Sequence, residues 1–173
     1  MKVLNKIKFV FDKILEVLGI ICLTIMTIMI VYQVVARYVF NSPSAISEAM
    51  AQFLFVWMIM FGSAYVYGTL EHLTIDILKD KFSPKVNLVV EIITYICLFF
   101  FALFVSVIGG YLYTTGQVKQ IDAALHISKS IMYASVPFTG VITMYYAIYN
   151  CVRSVLNYKE GKRKQGDPLG GTA

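Results

Sequence analysis

"VLGIICLTIMTIMIVYQVVA", residues 17–36, runs without a single Asp, Glu, Lys or Arg. An α-helix rises ~1.5 Å per residue, so a run of about 20 residues crosses the ~30 Å hydrocarbon core of a bilayer. Three further stretches of at least that length are equally free of charge, at 49–70, 92–118 and 130–152. Helices on a soluble core would carry a polar face at the helical period, and these stretches have almost none. Composition agrees, with 58% hydrophobic and 14% charged residues and a mean hydropathy of +0.72. The sequence predicts an all-α integral membrane protein with four transmembrane helices. The first apolar run is too long for a cleavable signal peptide and no small-x-small site follows it, so it is expected to stay as a spanning helix.

The flanks differ from the spans. In residues 1–16 the apolar side chains Val3, Leu4, Ile7, Val10, Phe11, Ile14 and Leu15 recur at helical spacing, while Lys2, Asn5, Lys6, Asp12, Lys13 and Glu16 take the other face. That pattern predicts an amphipathic helix lying in the membrane interface, with a turn into the bilayer at Gly19. Residues 17–155 form the expected four-helix transmembrane domain. Residues 156–173 are polar and glycine-rich and are expected to be a disordered cytoplasmic tail.

Four spans put Lys2, Lys6, Lys8, Lys13, Lys79, Lys81, Lys85, Arg153, Lys159, Lys162, Arg163 and Lys164 on one side of the membrane, against Arg37, Lys119 and Lys129 on the other. By the positive-inside rule both termini are expected in the cytoplasm. The net charge of +5 then serves membrane phospholipid, whose anionic headgroups attract basic flanks. It does not point to nucleic acid, which needs a soluble basic surface.

"EHLTIDIL", residues 71–78, is the one chemically dense stretch. His72 and Asp76 stand i and i+4, a spacing that metal ligands use. His126, the other histidine, falls across the membrane, and no cysteine is close enough to complete a set. The stretch therefore reads as the inner end of the second helix turning along the headgroups. No metal, cofactor or catalytic residue is expected, because no Ser-His-Asp or paired-carboxylate arrangement lies on one side of the membrane. Cys22, Cys97 and Cys151 are too far apart for a CxxC and read as packing residues.

Inside the spans, Gln33 and Arg37 near the outer end of the first helix face Glu48 and Gln52 at the start of the second. A tight hairpin would bring them together, as a structural clamp or as a contact with a partner outside. Ser42 and Pro43, and again Ser83 and Pro84, read as helix N-caps followed by proline at the first helical position. Glu91 is a carboxylate some two turns into the third helix, either a proton carrier or a group that snorkels toward the inner interface. Pro137, within the fourth span, is expected to bend it.

The run from Arg37 to Asp76 resembles the small membrane subunit of tripartite ATP-independent periplasmic (TRAP) transporters. In that family an Arg-Tyr ends the first helix with an Asn soon after, here Arg37, Tyr38 and Asn41. A Glu opens the second helix, a Gly lies inside it, and a His-hydrophobic-x-hydrophobic-Asp run ends it, here Glu48, Gly62, His72 and Asp76. Tyr133 and Pro137 match a Tyr-x-x-x-Pro in the fourth helix. The chain departs at Ile46, where Trp is frequent, and carries one carboxylate, Glu48, where two are frequent.

The resemblance implies a non-catalytic scaffold subunit in the bacterial inner membrane. Such a subunit would pair with a large membrane subunit that binds sodium and substrate, and both would receive an organic acid from a periplasmic substrate-binding protein. Sialic acid or a C4-dicarboxylate is the expected cargo. The alternative is a self-sufficient four-helix exporter that uses Glu91 as proton carrier.

Overall fold

A computed structural model describes residues 2–69 and 84–166. Helix α1 covers Lys2–Tyr38 and α2 covers Ala45–Thr69. The third rod is composite: α3, Pro84–Phe101, continues into a π-helical stretch, Ala102–Gly109, and then α4, Gly110–Gly116. A short α5, Lys129–Tyr133, leads into α6, Ser135–Gly166. Among the described residues four helical stretches are long and apolar enough to cross a membrane: Leu4–Tyr38, Ala45–Thr69, Lys85–Gly116 and Lys129–Lys159. The protein is a multi-pass, all-α membrane protein.

Several boundaries differ from those read in the sequence. Helix α1 passes straight through Gly19, so no turn separates residues 1–16 from the first span. A glycine in mid-helix costs only about 0.5–1 kcal/mol, too little to break a helix that is apolar on both sides of it. The fourth helix runs to Gly166, well past residue 156, where the tail was expected to begin. The cap of α2 is Ser44, not Ser42: its Oγ accepts from the N–H of Ser47 at 3.4 Å. Asn41 explains the shift, because it adopts a left-handed backbone (φ 46) and the chain turns there before it can enter the next helix. Pro84 is the first residue of α3, as expected, while Ser83 lies outside the described residues.

The helices form an open layer rather than a closed bundle. α1 packs on α2, α2 on α6, and α6 on α3 and the π stretch, while neither α1 nor α2 packs on α3 among the described residues. Only 11% of the most apolar stretch of each of the first three spans is buried, against 39% for the fourth, so α6 is the central helix. Many of its inward residues are small or polar, Ser135, Thr139, Thr143, Ala147, Asn150 and Ser154, beside the larger Ile142, Tyr146 and Tyr149. In lipid, apolar burial gives helices no reason to associate, so small side chains that let backbones approach become the packing face. The threonine hydroxyls are satisfied within the helix, Thr139 donating to Ser135 O at 2.7 Å and Thr143 to Thr139 O at 2.9 Å.

Two glycines mark close approaches between the third rod and α6. A Cβ on Gly140 would meet Ser106 Cβ of the π stretch at 2.7 Å, and one on Gly110 would meet Val136 Cγ1 at 2.9 Å and Pro137 Cδ at 3.2 Å. Proline lacks the N–H that would bond Tyr133 O, and the helix is interrupted at Ala134, between α5 and α6. Ala134 itself keeps a right-handed helical backbone (φ −60, ψ −20), so the interruption one turn upstream of Pro137 is a lapse in hydrogen bonding and not a change of helical conformation.

Candidate functional site

The side chains with chemistry gather at the two ends of the layer. At the end that the positive-inside reading expects to face outward, and that is called outer on that reading alone, Arg37 closes α1 and Glu48 lies in the first turn of α2. Each position suits the helix dipole, a cation at a C-terminus and an anion at an N-terminus. Their charged atoms are 4.0 Å apart and both side chains are about half exposed (52% and 53%), so the pair is loose and solvent-screened. Gln33 and Gln52 make no hydrogen bond to it among the described residues. Asn41 supplies the turn between the two helices, with Ser42 N–H donating to Ala36 O at 3.0 Å.

The other outer feature is the loop from 117 to 128. Asp122 Oδ1 accepts from the N–H groups of Ala124 and Leu125, both at 3.0 Å. These two donors, Leu125 first, hold the Asp122 carboxyl below its ordinary value. Ser128 Oγ donates to Val118 O at 2.9 Å, Ile121 bridges to Ser128, and His126 takes a left-handed backbone (φ 54). Tyr133 stands edge-on to Tyr113 at 4.9 Å, tying α5 to α4.

At the opposite end, where α1 begins and α6 ends, a polar cluster joins α1, α2 and α6. Tyr146, fully buried, donates its hydroxyl to Asp12 Oδ1 at 2.6 Å. Lys8 bonds the other Asp12 oxygen at 3.2 Å and sits over the ring of Tyr149 at 5.7 Å. Tyr149 donates to Asn5 Oδ1 at 2.9 Å, and Tyr145 to Leu4 O at 3.0 Å. Gly68 of α2 makes room, since a Cβ there would lie 2.8 Å from the Tyr146 ring and 3.1 Å from Asp12 Oδ1. Asn150 donates to Tyr67 O at 3.2 Å. Beneath lies the apolar core of Leu15, Phe61, Ala64, Ile142 and Tyr146, with Trp57 packed against it.

The sequence reading missed this cluster. Asp12 belonged to the polar face of the expected interfacial helix, and Tyr145, Tyr146 and Tyr149 were not singled out. Asp12 stands i+4 from Lys8, a local signal, but its partner Tyr146 is 134 positions away in the chain, and nothing local joins the two.

The remaining candidates are dispersed. Gly62 is on the exposed face of α2, where a Cβ would meet nothing within 4 Å, so no contact among the described residues requires glycine there. Glu91 is half-buried on α3. His72 and Asp76 lie outside the described residues. Among the described residues no three of His, Cys, Asp or Glu gather as a metal site. A groove of about 440 Å³ between α3 and α6 is lined by apolar residues, among them Phe99, Phe100 and Ile148, and Glu91 is not part of its wall.

Comparison with known proteins is consistent across the chain. The family model described as "Tripartite ATP-independent periplasmic transporters, DctQ component" matches residues 26–157. A Haemophilus influenzae protein described as a TRAP transporter small permease protein is 30% identical over 159 residues, covering 92% of this chain and 94% of that protein. The sialic acid TRAP transporter small permease protein SiaQ of Vibrio cholerae is 27% identical over 147 residues, 82% of each chain. The sialic acid TRAP transporter permease protein SiaT of another Haemophilus influenzae strain is 29% identical over 137 residues, which are 77% of this chain but 21% of that longer one.

Proposed function

Because the chain belongs to the DctQ component family of tripartite ATP-independent periplasmic transporters, we propose that it is the non-catalytic scaffold of a sodium-coupled importer of an organic acid. In this reading it pairs with and anchors the large membrane subunit, and a periplasmic binding protein delivers the cargo to the assembled pair. The membrane is the bacterial inner membrane, with both termini in the cytoplasm, as the distribution of lysine and arginine favours. Phospholipid solvates its uncovered faces. Sialic acid is the first cargo to test, since two relatives are described as sialic acid TRAP permease proteins, with a C4-dicarboxylate second.

The observation that carries the scaffold role is the open layer. A carrier needs a concave site with convergent polar groups, and the groove described here is apolar. The three spans around α6 leave most of their apolar surface uncovered, which suits a helix layer that another membrane protein abuts. The likeness to a segment of SiaT supports the same reading, because there a comparable unit is part of a much longer permease chain.

The test is co-expression with the large membrane subunit encoded beside it, one chain tagged, followed by detergent pull-down and sodium-dependent uptake into proteoliposomes supplied with the binding protein. A stable one-to-one complex that transports only with both chains present is the expected result. Failure to co-purify, together with transport by this chain alone, would overturn the reading and return attention to Glu91.

A further inference from the structure

The groove between α3 and α6 has a position as well as a volume. Tyr95, Phe99 and Phe100 line it from α3, and Ala147, Ile148 and Val152 from α6. The two helices run in opposite directions, so the same end of the groove faces the start of α3 and the end of α6. Going back along α3 from Tyr95 and Phe99 at helical spacing, the same stripe passes through Ile92 and Leu88 to Lys85. Going forward along α6 from Ile148 and Val152, it passes through Val155 to Lys159. Both lysines are exposed, and between each of them and the groove the stripe is apolar.

The depths fit one kind of molecule. At ~1.5 Å per residue, Lys159 is about 10 Å along the axis from Val152, and Lys85 is about 15 Å from Tyr95. One leaflet contributes about half of the ~30 Å hydrocarbon core, so a lipid phosphate level with the lysines places the far part of its acyl chain at the groove. We propose that this groove and the two lysines form a binding site for an anionic phospholipid of the leaflet nearest the chain termini, its phosphate held between Lys85 and Lys159 and an acyl chain lying along Phe99, Phe100 and Ile148. Two cations favour an anionic headgroup over a zwitterionic one, and the apolar wall accepts the chain without leaving polar groups unpaired. The site rests on membrane embedding and on this chain's own side chains, and is independent of the scaffold role.

The single tryptophan, Trp57, makes a direct test available. Among the described residues its buried Nε1 has no hydrogen-bond partner, so Trp57→Phe removes the fluorophore while losing no hydrogen bond to any of them. In that background, Phe100→Trp reports the rim of the groove and Ile28→Trp, on the exposed face of α1, reports ordinary lipid. The full chain is reconstituted in phosphatidylcholine vesicles containing brominated phosphatidylglycerol or brominated phosphatidylcholine, and quenching is titrated.

The expected result is an apparent preference for phosphatidylglycerol of about threefold to tenfold at Phe100→Trp and near unity at Ile28→Trp. Lys85→Gln with Lys159→Gln should abolish the preference while leaving quenching in place, and Lys85→Arg with Lys159→Arg should restore it. Equal preference at both reporters would overturn the proposal in favour of ordinary solvating lipid. Absence of quenching at Phe100→Trp, with normal quenching at Ile28→Trp, would overturn it in favour of a protein occupant, either a second copy or a partner helix.

Discussion

The two ends of this molecule are held by different kinds of contact. Beyond the outer ends of the helices, the turn at Asn41, the Ser44 cap, the Asp122 turn and the Arg37–Glu48 pair each join residues that are close in sequence. Around Asp12 and Tyr146 the contacts bridge distant parts of the chain: Tyr146 to Asp12, Tyr149 to Asn5, Tyr145 to Leu4 and Asn150 to Tyr67. Local contacts form as each hairpin forms, whereas the long-range ones exist only once α6 has returned to α1. The outer end is thus a set of independent turns, and the termini end is a single lock on the assembled layer.

The sharpest way to break that contrast is at Gly68. Valine there brings a Cβ to 2.8 Å from the Tyr146 ring and 3.1 Å from Asp12, so α2 has to move away from both partners. Overpacking of this kind costs about 1–3 kcal/mol, and the displaced Asp12–Tyr146 bond adds to it. Thermal unfolding in detergent should drop for Gly68→Val more than for any outer-end variant. Tyr146→Phe, which removes only the hydroxyl, should cost about 0.5–2 kcal/mol. An unchanged Gly68→Val midpoint would show that the termini end is not a lock.

The same contrast explains how much of the protein could be read from sequence. The four spans were legible because a charge-free run long enough to cross a bilayer is rare outside one, and 17–36, 49–70, 92–118 and 130–152 all fall largely within observed helices. The Arg37–Glu48 proximity followed from a short hairpin. What the sequence hid depends on tertiary pairing. Asp12 looked like a solvent-facing charge because its partner arrives 134 positions later, and Gly68 looked like any helical glycine until the Tyr146 ring was packed against it. The π stretch was equally hidden, since Ala102–Gly109 has the composition of an ordinary apolar helix.

At the outer end, smaller effects are expected and each should be confined to its own turn. Asn41→Ala keeps the left-handed backbone at φ 46 without the side chain that tolerates it, and should cost about 1–2 kcal/mol, while Asn41→Gly should be close to neutral. A large loss for Asn41→Gly would mean that the amide, not the backbone, is what the site needs. The Arg37–Glu48 pair ranks lower still. At 4.0 Å, with both side chains about half exposed, its coupling in a double-mutant cycle of Arg37→Ala and Glu48→Ala should be ~0.2–1 kcal/mol and should fade with added salt. Coupling above that range, insensitive to salt, would move this pair into the same class as the Asp12–Tyr146 contact.

The smallest effect is also the most local, and it depends on pH. Asp122 is held below its ordinary value of 3.8 by the N–H groups of Leu125 and Ala124, which bond the ionised form. A carboxylate with a lowered pKa in the folded protein stabilises it at pH above the ordinary value, and that contribution disappears as pH falls through the lowered one. The loop from 117 to 128 should therefore loosen only below pH 3.8, while the contacts around Asp12 and Tyr146 are tied to a different carboxylate on the other side of the layer. The amide-proton shifts of Ala124 and Leu125 should titrate with a midpoint below 3.8, and Asp122→Asn, which keeps the acceptor oxygen but not the charge, should abolish the transition. A midpoint at or above 3.8 would mean that the two N–H bonds do not prefer the ionised carboxylate, and the outer loop would then owe its shape to the Ile121–Ser128 bridge and the Ser128 hydroxyl instead.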